Sequence, residues 1–233
     1  MNNELYAVNL CEVFPREKFL HLINCVGSKK SKILSFTHYS DALRSLAADI
    51  LIRNIIIDKF KLNNSDIHFQ YNKYGKPSLS RVEGFHFNIS HSGIWVVCAI
   101  SNKSIGIDIE KIESMEELIV KRFFSQQEKE DLYFLADSQR RDYFYDLWTL
   151  KESYIKAKGK GLSIALNSFT IRKCEEGNFV LKRDEGLLFK QFTLFPNYKM
   201  SVCVEKGTYF DKVKIHNLDI LYKAFSERIL NNQ

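Results

Sequence analysis

The stretch Gly106-Ile107-Asp108-Ile109-Glu110 decides how this chain is read. Side chains alternate across a β-strand, so Ile107 and Ile109 turn to one face and Asp108 and Glu110 to the other. The isoleucines suit a core. The carboxylates stand near each other and repel unless a cation, a proton or open water separates them. Gly106, lacking a Cβ, admits a second backbone or a ligand just ahead of the pair. Taken alone, the pattern is better read as a half-buried strand with a solvated acidic edge than as a metal site, and the surrounding chain has to shift that balance.

Upstream, Phe87-Asn88-Ile89-Ser90-His91-Ser92-Gly93 runs into the apolar, β-branched segment Ile94 to Ile100, which reads as a buried strand. Ser90-His91-Ser92 is either a turn or a polar face toward a ligand. No G-x-S-x-G elbow accompanies it, which argues against a nucleophilic triad. Earlier still, Tyr74-Gly75-Lys76-Pro77 combines an aromatic face, a permissive glycine, a cation and a fixed φ. That could hold an aromatic base, and it also describes an ordinary surface turn.

Downstream, Met115, Leu118, Ile119, Phe123 and Phe124 recur with helical spacing, and Ser125-Gln126-Gln127-Glu128 matches a capping box for a helix through Leu135. A longer helix is predicted from about Arg141 to Lys158, ended by Gly159 and Gly161. Within it Trp148, Glu152 and Lys156 share one face, while Leu147, Leu150 and Ile155 serve the core. As a surface pair, Glu152 and Lys156 would add only about 0.3 to 0.5 kcal/mol, so their spacing alone proves no site.

Tyr6 to Leu10 reads as a strand, and an amphipathic segment after Pro15 carries Phe19, Leu22 and Ile23 on its apolar side. Ser28-Lys29-Lys30-Ser31-Lys32 is a basic cluster. Ser40 or Asp41 can cap a helix bearing Leu43, Leu46, Ala47, Ile50 and Leu51. Arg44 falls in its first turn, where a cation opposes the helix dipole but would suit a bound phosphate. Strand segments are predicted at Ser168 to Arg172, Phe179 to Lys182, Phe189 to Leu194 and Lys199 to Val204, with a terminal helix over Leu218 to Leu230. Trp95 to Ile100 and Lys199 to Val204 echo each other, which suggests two related halves.

The chain has 233 residues, 45% of them hydrophobic and 27% charged, enough for a sizeable core. Its net charge of +6 favours acidic partners or phosphorylated ligands without demanding nucleic acid. No basic region followed by an apolar run opens the chain, and no apolar stretch is long enough to span a bilayer. Cys11, Cys25, Cys98, Cys174 and Cys203 are scattered without a C-x-x-C pair, against a disulfide framework or a structural zinc site. A soluble cytoplasmic protein, with no membrane and no nucleic-acid partner, is the simplest expectation.

Gly106 to Glu110 followed by Trp148-Thr149-Leu150-Lys151-Glu152-Ser153-Tyr154-Ile155-Lys156 resembles the paired signature of the 4′-phosphopantetheinyl transferases. Tyr74 to Pro77 and Phe87 to Gly93 resemble that superfamily's larger, surfactin-synthetase-activating type. The motifs keep their order from about Lys29 to Cys203. The resemblance implies an α+β pseudo-dimer of two similar halves, residues 1–105 and 106–233, with the active site in the cleft between them. It also implies transfer of the phosphopantetheine arm of coenzyme A to a serine of an apo acyl or peptidyl carrier protein, releasing adenosine 3′,5′-bisphosphate. By similarity Asp108, Glu110 and Glu152 would hold Mg²⁺, and Lys156 and Ser90 would contact the pyrophosphate. Lys29, Lys32, Arg44 and His91 would lie around the 3′-phosphate, and Tyr74, Lys76 and Pro77 would border the adenine. Glu152 is the expected base for the carrier serine, and a monomer is expected.

The physical chemistry of the residues agrees with that expectation. Transfer at a pyrophosphate builds charge on oxygen, which a hard cation on carboxylates and a nearby lysine stabilise. The segment Lys111 to Phe124 leaves the acidic strand directly and is a candidate docking surface for the carrier, if Met115, Leu118 and Phe123 are not consumed by the core. A Mg²⁺-dependent phosphodiesterase and a non-catalytic nucleotide-binding module are the rival readings. Against the second, a binding module needs no candidate base.

Overall fold

The computed structural model describes residues 3–10, 13–174, 178–181, 186–193, 195–208, 210 and 212–231. Cys11, Lys182 and Leu194 lie outside the described residues.

Two sheets organise the chain. The first contains β1 (Glu4–Asn9), β4 (His86–Ser92), β5 (Trp95–Ser101) and β11 (Val213–Asn217) in the order β11-β1-β5-β4. The second contains β6 (Ile105–Lys111), β9 (Leu187–Phe192) and β10 (Tyr198–Glu205) in the order β6-β10-β9. The echoing segments are therefore the inner strands β5 and β10 of the two sheets. Short hairpins β2 (Phe69–Tyr71) with β3 (Pro77–Leu79), and β7 (Ile171–Lys173) with β8 (Phe179–Leu181), complete the strands.

The strand period explains the layering. Val96, Cys98 and Ile100 of β5 join a core with α3 (Tyr39–Phe60), whose Leu46, Ile50 and Ile57 are buried. The alternate residues Trp95, Val97 and Ala99 face Ile105, Ile107, Ile109, Met200 and Val202 in a core between the sheets. On the far side, α6 (Asp137–Lys158) supplies Phe144, Leu147, Leu150 and Ile155 to a third core that includes Cys203. Each half is thus a long helix on a sheet, and the sheets meet face to face, which makes the molecule an α+β fold of two similar halves.

Several boundaries differ from the sequence reading. α3 starts at Tyr39 with His38 as its N-cap, and neither Ser40 nor Asp41 caps it. Asp41 instead pairs with Arg44, and the start at Tyr39 places Arg44 in the second turn rather than the first. α6 starts one turn early, where an Arg140–Asp137 ion pair at 2.6 Å supports the added turn. The strand β11, not anticipated from sequence, and the helix α7 (Leu218–Asn231) pack on the first half although they fall within residues 106–233: β11 runs parallel to β1, and Leu218, Leu221 and Phe225 enter the core of α3. The capping box forms as expected on α5 (Gln126–Phe134), and its Glu128 also meets Lys151 of α6 at 2.8 Å, both side chains fully buried.

Candidate active site at the seam of the two halves

On β6, Ile107 and Ile109 face the core between the sheets, which turns Gly106, Asp108 and Glu110 toward α6. A Cβ on Gly106 would lie 2.0 Å from the Ser153 carbonyl oxygen and 2.4 Å from the Ala157 nitrogen. The second backbone that this glycine admits is therefore α6 itself. That contact brings Lys156 Nζ to 2.5 Å from Asp108 Oδ1.

The edge strand β4 meets β6 through side chains. Asn88, Ser90 and Ser92 sit two residues apart and share a face. The Asn88 amide oxygen accepts from Ile107 N at 2.8 Å, Ser90 Oγ donates to Asp108 Oδ1 at 2.8 Å, and Ser92 Oγ donates to Glu110 Oε2 at 2.9 Å. Lys156 also donates to Ser90 Oγ at 3.1 Å. One carboxylate thus gathers a strand of the first half and both elements of the second. Ser90, expected at the pyrophosphate, lies at the centre of this group. Ser92 was read only within the polar group Ser90-His91-Ser92, and Asn88 was not singled out by sequence, although its spacing of two on the strand of Ser90 carried the signal.

The electrostatics show crowding of like charge. Burial, and then the charge of Asp108, push the Glu110 carboxyl up to about 7, against hydrogen bonds from Ser92 and Trp148 and the charge of Lys156. The same two causes raise Glu152, with Lys156 opposing. Burial pulls Lys156 down, but the Asp108, Glu152 and Glu110 charges outweigh it and raise its pKa overall. Asp108 Oδ2 is buried without a hydrogen-bond partner. Among the described residues no three His, Cys, Asp or Glu side chains converge into a ligand cluster as they stand, and it is Lys156 that neutralises Asp108. By their chemistry Asp108, Glu110 and Glu152 would nonetheless suit a hard cation: they are carboxylates on facing elements, Asp108 keeps an orphaned oxygen, and a cation would oppose protonation of the other two.

A cleft of ≈ 510 Å³ opens beside Glu110, lined by Arg44, Ser92, Gly93 and Trp148 among others. Arg44 donates to the Gly93 carbonyl at 2.9 Å, and Ile94 N donates to Tyr198 Oη at 3.2 Å, so the β4–β5 turn is held from both halves. His91 is exposed on β4, in surroundings crowded enough that desolvation, then Arg44, lower its pKa. The basic cluster is split. Lys29 lies 2.6 Å from the buried Asp49 and lines a cavity of ≈ 850 Å³ with Arg53 and Phe69, while Lys32 is exposed on the short helix α2 (Lys30–Leu34).

Tyr74 is exposed and Pro77 half-buried, but the Lys76 ammonium turns away from solvent. It donates to the carbonyls of Ile105, Lys156 and Ala157 at 3.0, 2.7 and 3.1 Å. Burial depresses it to about 8. No helix among the described residues is long and apolar enough to cross a membrane.

Comparisons with known proteins agree on what this architecture is. The sequence profile of the 4′-phosphopantetheinyl transferase superfamily matches residues 104–203, and that of the 4′-phosphopantetheinyl transferase N-terminal region matches residues 15–103. The 4′-phosphopantetheinyl transferase Sfp of Bacillus subtilis (strain 168) is 42% identical over 190 residues, 80% of this chain and 84% of that one. The 4′-phosphopantetheinyl transferase ffp of Bacillus subtilis is 36% identical over 222 residues, 94% of this chain and 99% of that one. A third relative, the 4′-phosphopantetheinyl transferase gsp of Aneurinibacillus migulanus, is 40% identical over 196 residues, 81% and 82% of the two chains. This chain belongs to the 4′-phosphopantetheinyl transferase superfamily and is an enzyme of that class.

Proposed function

We propose that the enzyme transfers the 4′-phosphopantetheine group of coenzyme A to a serine of an apo acyl or peptidyl carrier protein in a Mg²⁺-dependent reaction, releasing adenosine 3′,5′-bisphosphate. The observation that carries the reading is the meeting of Ser90, Asp108 and Lys156 at the seam, with an unsatisfied carboxylate oxygen among them. In the reaction the serine oxygen forms a bond to the phosphorus that bears the pantetheine arm. The pyrophosphate bridge breaks, and its electron pair leaves on the adenosine bisphosphate.

Asp108, Glu110 and Glu152 would hold Mg²⁺. The ion, when bound, supplies charge neutralisation on the pyrophosphate oxygens. Lys156 and Ser90 donate to the same pyrophosphate, and the fixed position of Lys156 requires little reorganisation as charge develops. Glu152 takes the serine proton, directly or through a water, and burial and the Asp108 charge, which raise its pKa, make it a stronger base than an ordinary carboxylate. Arg44 and His91, with Lys29 and Lys32 of the basic cluster, receive the 3′-phosphate. Tyr74, Pro77 and the Lys76 main chain border the adenine. One chain contains both halves of the cleft, so a monomer suffices. A carrier that is acidic around its serine suits a chain of charge +6.

Chromatography of the products of coenzyme A, an apo carrier and Mg²⁺ tests the reading. Adenosine 3′,5′-bisphosphate should appear in step with modified carrier and stop when a chelator is added. Cleavage of coenzyme A at the same rate without any carrier would instead identify a phosphodiesterase.

A further inference from the structure

The last turn of a helix leaves carbonyls without intrahelical partners. At the end of α6 these carbonyls are satisfied from the first half and from the loop before β6. Lys76 Nζ donates to Lys156 and Ala157, Ser104 Oγ donates to Ala157 at 2.6 Å, and Asn72 Nδ2 donates to Gly159 at 2.7 Å. The third Lys76 hydrogen bond goes to Ile105, the first residue of β6. An ammonium has three N–H donors, and here all three are given to backbone carbonyls. A cation at a helix C-terminus is also favoured by the helix dipole.

We propose that Lys76 is a positioning residue of the transfer reaction, whose ammonium clamps the end of α6 to the start of β6 and so sets Lys156 and Glu152 against Asp108. The clamp is continuous with the candidate nucleotide loop. Asn72 Oδ1 accepts from the backbone N–H groups of Tyr74 and Lys76 at 2.9 Å each, which fixes the turn that carries Lys76. The turn bordering the nucleotide and the helix bearing the base are thereby one rigid assembly, and the lysine acts through α6 instead of on the ligand. Gly159 permits the approach: it sits at φ +65°, and a Cβ there would lie 2.8 Å from Lys76 Cδ.

The role rests on the proposed transfer reaction, and two readouts on the full chain separate the two. Lys76→Met keeps the length of the side chain and removes every donor. Because an ångström of misplacement can cost about 10²-fold in rate, kcat should fall by about 10- to 100-fold while KM for coenzyme A stays within about twofold. Amide hydrogen exchange in the last turn of α6 should accelerate in the same variant. A raised KM with kcat retained would overturn the proposal in favour of a ligand contact. Unchanged kcat in a folded variant with faster exchange would overturn it in favour of a purely structural clamp. Should Lys76→Met fail to fold, Asn72→Ala tests the same assembly: a smaller fall in kcat with faster exchange supports the clamp, and no change in either overturns it. A wild-type chain that labels no carrier refutes the transfer reaction and the role within it, while the exchange difference still reads whether Lys76 holds α6.

Discussion

Lys156 Nζ lies 2.5 Å from Asp108 Oδ1, and this ion pair spans the contact between the helix and the strand that carry the acidic residues of the site. Asp108 is almost wholly buried, whereas the lysine keeps about a quarter of its side-chain surface in solvent. Lys156→Ala should therefore destabilise the fold by about 2 kcal/mol, less than for a fully enclosed pair, by leaving Asp108 without its cation. Urea denaturation measures that cost. Asp108→Ala and Glu152→Ala should keep the fold and lower kcat by about 10²- to 10⁴-fold. Near wild-type turnover in either would remove that residue from the site.

Gly106 is required by the closeness of α6. In Gly106→Ala the new methyl group meets helix backbone, which cannot swing aside as a side chain can. The substitution should cost about 3 kcal/mol and displace Lys156 from Asp108. Thermal unfolding gives the first effect and single-turnover rate the second. A variant as stable as wild type would mean that the helix does not approach the strand this closely.

Glu4 is the first residue of β1, an inner strand of the first sheet. Burial works against its carboxylate, but Lys214, Lys59 and the Tyr6 hydroxyl outweigh burial and hold the pKa at about 2, against an ordinary 4.5. The folded state thus binds its proton more weakly than the unfolded chain. Stability from this group is complete above about pH 4.5 and is lost as the pH falls toward 2. Urea midpoints of wild type and Glu4→Gln should differ by a constant amount above pH 5 and converge near pH 2; a gap that persisted at pH 2 would exclude the carboxylate as its source.

Leu118 lies on α4 (Glu117–Phe123) with 78% of its surface exposed, whereas Phe123 packs on Trp148 at 5.7 Å and Met115 borders the third core. Of the three residues nominated for apolar contact in the candidate docking segment, only Leu118 is therefore free to meet a partner. Leu118→Glu should leave stability and the KM for coenzyme A unchanged and raise the carrier KM about tenfold. An unchanged carrier KM would move the docking surface elsewhere.

What the sequence made legible follows from the range of each signal. The alternation of Gly106 to Glu110 and the spacing of Trp148, Glu152 and Lys156 are local patterns that located an acidic strand and an amphipathic helix, while only the family resemblance joined the two. Asn88 obeys the same alternation but carries no charge, so it reads as ordinary strand polarity, and Ser92 reads as either turn or ligand face, until β4 is seen against β6. The ammonium of Lys76 finds acceptors at Ile105, Lys156 and Ala157, which no local pattern links to a turn at residue 76. β11 is a five-residue strand whose parallel partner lies at the other end of the chain, and nothing nearby announces it. The start of α3 was misplaced because Ser40 and Asp41 are good caps, while here Asp41 is engaged by Arg44.

In the proposed reaction the seam between the halves transfers a phosphopantetheine arm to a carrier serine. Intact-mass spectrometry of several unrelated apo carriers, each incubated with the enzyme, coenzyme A and Mg²⁺, tests it most directly. The prediction is a gain of one phosphopantetheine on at least one carrier, lost when the carrier serine is replaced by alanine. No gain on any carrier while free coenzyme A is cleaved would contradict it.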